Sequence, residues 1–146
     1  MLRGIDPLIG PELLYTLASM GHGDELVIVD RNFPATSMNS RVHRLDGAGA
    51  VTVTQAVFSL LPIDSFIPIP LECMEIVGRP GVVNEIQAEV QAVASRSAGR
   101  EISMSALERF EFYRRTRAAF AVLVTGEERP FGCFIVTKGV LPEFTP

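Results

Sequence analysis

An α/β domain with a largely parallel sheet is the fold class this sequence predicts, and three observations predict it. Apolar runs that read as buried strands alternate along the chain with segments of helical periodicity. The length of 146 residues suits a single domain with one sizeable core. A hydrophobic fraction of 47% against 21% charged fits an ordinary globular protein and argues against disorder.

Each element follows from local chemistry. Pro11 and Glu12 suit the first turn of a helix, where a missing N–H costs nothing and a carboxylate meets the positive end of the helix dipole. Leu13, Leu14, Leu17 and Ala18 then share one face, and Gly21 marks the stop. After the Gly21-His22-Gly23 turn, the apolar run 26–29 predicts a buried strand that ends abruptly on Asp30-Arg31-Asn32. Residues 32–49 are polar and broken by Pro34, Gly47 and Gly49, which predicts a long functional or interface loop carrying Arg41, His43, Arg44 and Asp46. Segment 51–61 fits both strand and helix periods, and its length favours a helix.

Pro62, Pro68 and Pro70 predict an irregular stretch leading to a strand over 73–77, with a turn at Gly78-Arg79-Pro80-Gly81. Val82, Val83, Ile86, Val90 and Val93 repeat at helical spacing up to Ser95, with a break at Gly99. Ser105 and Glu108 match a capping box, so a helix is expected from about Ala106, with Arg109 and Tyr113 on one face. Runs 119–125 and 133–137 predict the last two strands, joined by the turn 126–132.

Composition narrows the function. The formal net charge is −4, with Lys and Arg scattered and no basic stripe, which argues against nucleic acid. No run approaches the roughly 18 apolar residues of a membrane span, and the first residues lack the layout of a signal peptide, so the expectation is a cytoplasmic protein. A mean hydropathy of +0.27 is high for a small monomer, which leads us to expect a homo-oligomer. Cys73 and Cys133 are too few and too distant for a disulfide framework or a zinc site and read as buried reduced thiols.

Two residues stand out chemically. Asp30 lies just past the carboxyl end of a buried strand, the place where open α/β sheets bind ligands. His22 is flanked by glycines that suit either a tight turn or the close approach of a ligand. Eight positions separate the two, roughly 25 Å along a strand, so they share a site only if the chain doubles back or a loop reaches over. His22, Asp24, Asp30 and His43 match no familiar metal-ligand spacing, and the glycine pairs 47–49 and 78–81 lack the features of phosphate loops. Cys133, at the start of an apolar run, reads as inert. The residues by themselves reach an α/β domain with a polar pocket.

A likeness goes further. The stretches 8–14 (Leu-Ile-Gly-Pro-Glu-Leu-Leu), 20–25 (Met-Gly-His-Gly-Asp-Glu), Asp30 with Phe33-Pro34-Ala35, 109–113 (Arg-Phe-Glu-Phe-Tyr), 124–127 (Val-Thr-Gly-Glu) and 137–140 (Thr-Lys-Gly-Val) closely resemble the fucose mutarotase and ribose pyranase family, on its fucose side. The resemblance implies a cytoplasmic, cofactor-independent and metal-free sugar mutarotase, assembled into a ring, commonly a decamer, with a monosaccharide bound where neighbouring subunits meet. It also implies that His22 is the acid/base residue and that Asp30 binds sugar hydroxyls or orients the imidazole. Arg109 and Tyr113 would project into the same pocket, with Arg109 stabilising negative charge on oxygen. Where the family carries Tyr-x-Asn, this chain has Phe131-Gly132-Cys133, so the wall of the site loses a phenol and an amide. A mutarotase with altered substrate preference and a non-catalytic monosaccharide-binding oligomer both fit that departure.

Overall fold

The computed structural model describes residues 1–142. Its centre is one six-stranded sheet. In chain order the elements are α1 (Pro11–Ser19), β1 (Glu25–Val29), β2 (Val42–Leu45), α2 (Ala50–Phe58), β3 (Leu71–Met74), α3 (Glu85–Ala98), β4 (Met104–Leu107), α4 (Arg109–Ala118), β5 (Ala121–Thr125) and β6 (Phe134–Thr137). The strands lie in the order β2-β5-β1-β6-β3-β4. Pairs β2–β5, β5–β1 and β3–β4 are parallel, whereas β6 is antiparallel to both β1 and β3. Five strands therefore point one way and β6 alone runs back between them.

Strand alternation sorts the core into two layers. Leu26 and Ile28 of β1, Leu123 of β5 and Phe134 of β6 pack with Leu13, Leu17, Val53, Val57, Ile86 and Val90 from α1, α2 and α3. On the other face Val27, Val29, Val122, Val124 and Ile135 pack with Phe33, Ala35 and the fully buried Phe112 of α4. Arg115 of α4 adds a polar tie, bonding to both Glu25 of β1 and Glu72 of β3.

Several expectations shift. Segment 32–49 contains β2: Val42 and Leu45 pair with β5 at the sheet edge, where four residues of mixed polarity suffice because one side stays open. The Ser105–Glu108 capping box does not form. Residues 104–107 are instead the edge strand β4, with Ser105 opposite Glu72, and this ladder holds the backbone extended. Glu108 is the N-cap, its carboxylate accepting from the amides of Phe110 and Glu111, so α4 begins at Arg109. Helix α3 starts three residues later than its valine periodicity suggests, because Asn84 and Gln87 form a reciprocal capping box and leave Val82 and Val83 exposed outside it. It then runs to Ala98, where Gly99 takes a left-handed φ of 65°. Strand β3 lies at 71–74 instead of 73–77, since its ladder with β4 ends at Met74 and the chain turns after Ile76. The ambiguous 51–61 stretch is the helix its length favours.

Two long-range ties replace local signals. Helix α2 has no side-chain cap of its own at Gly49; Glu127 supplies it, Oε2 accepting from the amide of Ala50 at 3.2 Å. The Arg129 guanidinium bonded to Glu127, together with the amides of Arg129 and Ala50, holds the Glu127 carboxyl down to about 2 despite its burial. At the far end of β6, Lys138 and Gly139 pin two loops. Gly23 N–H donates to Lys138 O (2.9 Å), Lys138 N–H to Asp24 O (2.9 Å), Gly139 N–H to Pro62 O (2.8 Å) and Asp64 N–H to Thr137 O (3.0 Å). A Cβ on Gly139 would stand 2.7 Å from Asp64 Cα, against backbone that has no room to give.

Both ties generate predictions. Glu127 has a depressed folded-state pKa, so its contribution is complete above about pH 4.5 and is lost as pH falls towards about 2. Glu127→Gln should cost roughly 1.5–3 kcal/mol at pH 7 in urea unfolding, and the gap to the parent chain should narrow by pH 3; an equal gap at both pH values contradicts the assignment. Gly139→Ala should cost about 1–3 kcal/mol by overpacking, read as a lower urea midpoint, and an unchanged midpoint would show that the Asp64 loop is not clamped there.

Candidate functional site

The carboxyl ends of β1 and β3, the start of α4 and the start of β6 converge on a cleft of about 250 Å³. Asp30, Asn32, Phe33, Met74, Arg109, Tyr113, Phe131 and Cys133 are among the residues lining it. It is smaller than the roughly 300–1,000 Å³ of drug-sized pockets and suits a small ligand. Asp30 sits at the end of β1 with its Oδ1 accepting from Asn32 N–H at 3.0 Å. The Cys133 thiol donates to Asp30 Oδ2 at 3.5 Å. Complete burial, and then the nearby Asp30 charge, push the Cys133 thiol well above its ordinary value, which keeps it a protonated donor and not a nucleophile. Arg109 and Tyr113, one turn apart on α4, both reach the cleft. The Tyr113 ring packs edge-on against Phe33, and the Arg109 guanidinium lies 4.8 Å from the centre of the Phe110 ring. Among the described residues Arg109 makes no ion pair, which leaves its charge available to a ligand.

The wall formed by 130–133 is held from outside. Gln87, buried in α3, donates through Nε2 to Met74 O (2.8 Å) and Phe131 O (3.2 Å), while Asn84 Nδ2 donates to Pro130 O (3.0 Å). Phe131 has φ 60°, and among the described residues no other non-glycine has a positive φ. Such a conformation costs on the order of 1–3 kcal/mol in a bulky residue and persists only where surroundings enforce it. Here the Gln87 Nε2 bond to the Phe131 carbonyl and the packing of its side chain against the second core layer do so.

His22 lies elsewhere, at the opposite end of β1. Its Nε2 is 3.2 Å from Oδ1 of Asp64, whose side chain is 3% exposed while the imidazole is 46% exposed. A carboxylate only accepts, so Nε2 carries the shared proton, and in the neutral imidazole Nδ1 is the nitrogen with a free lone pair. Asp64 Oδ1 also accepts from Phe66 N–H at 3.1 Å, and Arg100 donates to Asp64 O at 2.7 Å. The histidine turn itself is braced by Gly21 N–H to Asp24 Oδ2 at 2.7 Å.

The structure thus brings Asp30, Arg109, Tyr113, Phe131 and Cys133 together and leaves His22 apart from them within one chain. Within one chain the carboxylate bonded to the imidazole is that of Asp64, and Asp30 does not reach it. Asp64 and Gln87 escaped the sequence reading. The first is a lone acid in a proline-broken apolar stretch, the second a helix residue whose only signal was its spacing of three from Asn84. His43 is structural: it bonds Thr16 Oγ1 at 2.7 Å, and burial lowers its pKa.

Comparisons with known proteins agree with this architecture. A model of the RbsD / FucU transport protein family matches residues 3–141. The L-fucose mutarotase of Actinobacillus pleuropneumoniae serotype 5b (strain L20) is 41% identical over 142 residues, covering 97% of this chain and 99% of that protein. The fucose mutarotase of Homo sapiens is 42% identical over 146 residues, covering 96% and 94%. The crystal structure of the fucose mutarotase from Streptococcus pneumoniae in complex with L-fucose superposes with a TM-score of 0.88 at 30% identity, covering 97% of this chain and 100% of that one. With near-complete coverage in every comparison and the same fold, the chain belongs to the RbsD / FucU family.

Proposed function

We propose that this protein is a cofactor-independent mutarotase that interconverts the anomers of a free monosaccharide of the fucose type. The observation that carries the reading is the His22–Asp64 pair: a half-exposed imidazole whose Nε2 is held by a buried carboxylate and whose Nδ1 is open. The names of the relatives and the L-fucose in one related structure support the substrate class.

The chemistry follows from the hemiacetal. A base takes the proton from the anomeric hydroxyl, the bond between the anomeric carbon and ring oxygen breaks, and an acid protonates the ring oxygen to leave the open aldehyde. Rotation about the adjacent carbon–carbon bond and closure with the roles reversed give the other anomer. Imidazole suits both directions, since it exchanges a proton near neutral pH. Asp30 offers acceptor oxygens to sugar hydroxyls, Tyr113 supplies a phenol on the cleft side, and Arg109 stabilises charge developing on oxygen.

Because His22 and the cleft lie at opposite ends of β1, the reading requires a second copy of the chain. Val77 lines the cleft and Phe110 packs under its Arg109, both exposed, while Phe66 packs on His22 and is exposed together with its chain neighbours Ile67 and Ile69. Two different apolar patches on one chain suit a head-to-tail contact, which gives a ring where the rotation between copies closes. The decamer that the resemblance implies is such a ring, with His22 of one copy completing the cleft of the next. Two unpaired buried cysteines suit a reducing cytoplasm.

Saturation-transfer NMR on anomeric protons of L-fucose, D-ribose, D-galactose and L-rhamnose should reveal accelerated exchange, strongest for L-fucose. His22→Ala should lower the saturable rate by about 10²–10⁴-fold. Full activity in His22→Ala refutes the role of His22. Binding without exchange for any sugar would favour a non-catalytic sugar-binding oligomer, the reading that Phe131 and Cys133 make specific.

A further inference from the structure

We propose that Phe66 is a positioning residue for His22, the aromatic surface that fixes the orientation of the imidazole; this rests on the mutarotase reading above. The Phe66 and His22 ring centroids are 5.2 Å apart with an interplanar angle of 53°, within the range of favourable aromatic packing. Phe66 N–H donates to the same Oδ1 of Asp64 that receives His22 Nε2. One buried carboxylate oxygen therefore ties the edge of the imidazole and the backbone of the residue that covers its face.

Burial within one chain does not explain this placement. Phe66 is 69% exposed and belongs to neither core layer. Its backbone, by contrast, is closely held, by Asp64 Oδ1 at its own amide and by Arg100 on the carbonyl of Asp64 two residues before it. A single hydrogen bond at Nε2 leaves the imidazole free to swing about that contact, and with it the direction of the Nδ1 lone pair. A second contact on the ring removes this freedom. Misplacing a catalytic group by about 1 Å can cost on the order of 10²-fold in rate, so an aromatic neighbour beside an otherwise open histidine has a kinetic consequence even where it adds little stability.

The test compares Phe66→Leu, which keeps apolar bulk without a ring, with Phe66→Tyr, which keeps the ring. Anomer exchange of L-fucose gives kcat and KM, light scattering gives the mass of the assembly, and NMR of the imidazole C–H groups reports the His22 ring directly. The chain has two histidines, so His43→Gln assigns the spectrum. Phe66→Leu should lower kcat by on the order of tenfold to a hundredfold with KM within about twofold, at unchanged mass. It should also move the His22 resonances by removing the ring current, while Phe66→Tyr restores both. Full kcat in Phe66→Leu overturns the proposal. A loss of kcat that accompanies dissociation also overturns it, by assigning Phe66 to packing between copies, and a change in KM alone places Phe66 against the sugar instead. If the parent chain exchanges no sugar, the mutarotase reading fails separately, and the imidazole resonances decide: unchanged His22 shifts in Phe66→Leu refute the positioning role.

Discussion

The antiparallel insertion of β6 between β1 and β3 is the constraint on which the rest of this structure depends. Five strands run one way, so the carboxyl ends that open sheets use for ligands fall on one edge. By running back among them, β6 starts at that edge and finishes at the other. Its start brings Phe131 and Cys133 beside Asp30; its end carries Lys138 and Gly139 between the His22 turn and the Asp64 loop. One short strand thus organises both polar clusters. The fully buried ladder of Leu26 with Val136 and Ile28 with Phe134 keeps them at opposite ends of the sheet.

Much of this was legible in the sequence because it rests on local signals. The apolar run 26–29, Pro11 at a helix start and the two C-terminal apolar runs each correspond to an observed element. Arg109 and Tyr113 do share a face, and that face does reach the ligand edge of the sheet. Failures came where a distant partner outweighed the local pattern. Ser105 and Glu108 have the spacing of a capping box, but pairing with β3 makes residues 104–107 a strand and hands the cap to Glu108 alone. β2 is too short and too polar to announce itself without β5 beside it. Asp64 is the clearest case: nothing around it in the chain points to His22, 42 positions away, and the contact exists because Thr137, Lys138 and Gly139 hold both loops.

The cleft combines rigidity with a changed surface. Gln87 and Asn84, which cap α3, also hold the carbonyls of Phe131 and Pro130, so the start of one helix sets the shape of the ligand wall. That hold is needed, because Phe131 occupies a backbone conformation that a bulky side chain disfavours. Cys133 meets Asp30 with a weak thiol donor. A site with fewer polar partners for hydroxyls discriminates differently among sugars, since an unmatched buried polar group is expensive while an apolar wall tolerates a methyl group. The strained Phe131 backbone thus lies in the wall that a sugar bound in the cleft, as proposed, would face.

The central claim is that His22 of one copy acts on a sugar held in the cleft of another, and subunit complementation tests it most directly. Chains carrying His22→Ala and chains carrying Asp30→Asn, each inactive as a pure assembly, would be co-expressed with different tags and the mixed assembly assayed for anomer exchange. A site shared between copies predicts that activity returns, with about a quarter of the sites intact in a random ring. A mixed assembly as inactive as its parents would contradict the account, because a site built within one chain cannot be repaired by its neighbour.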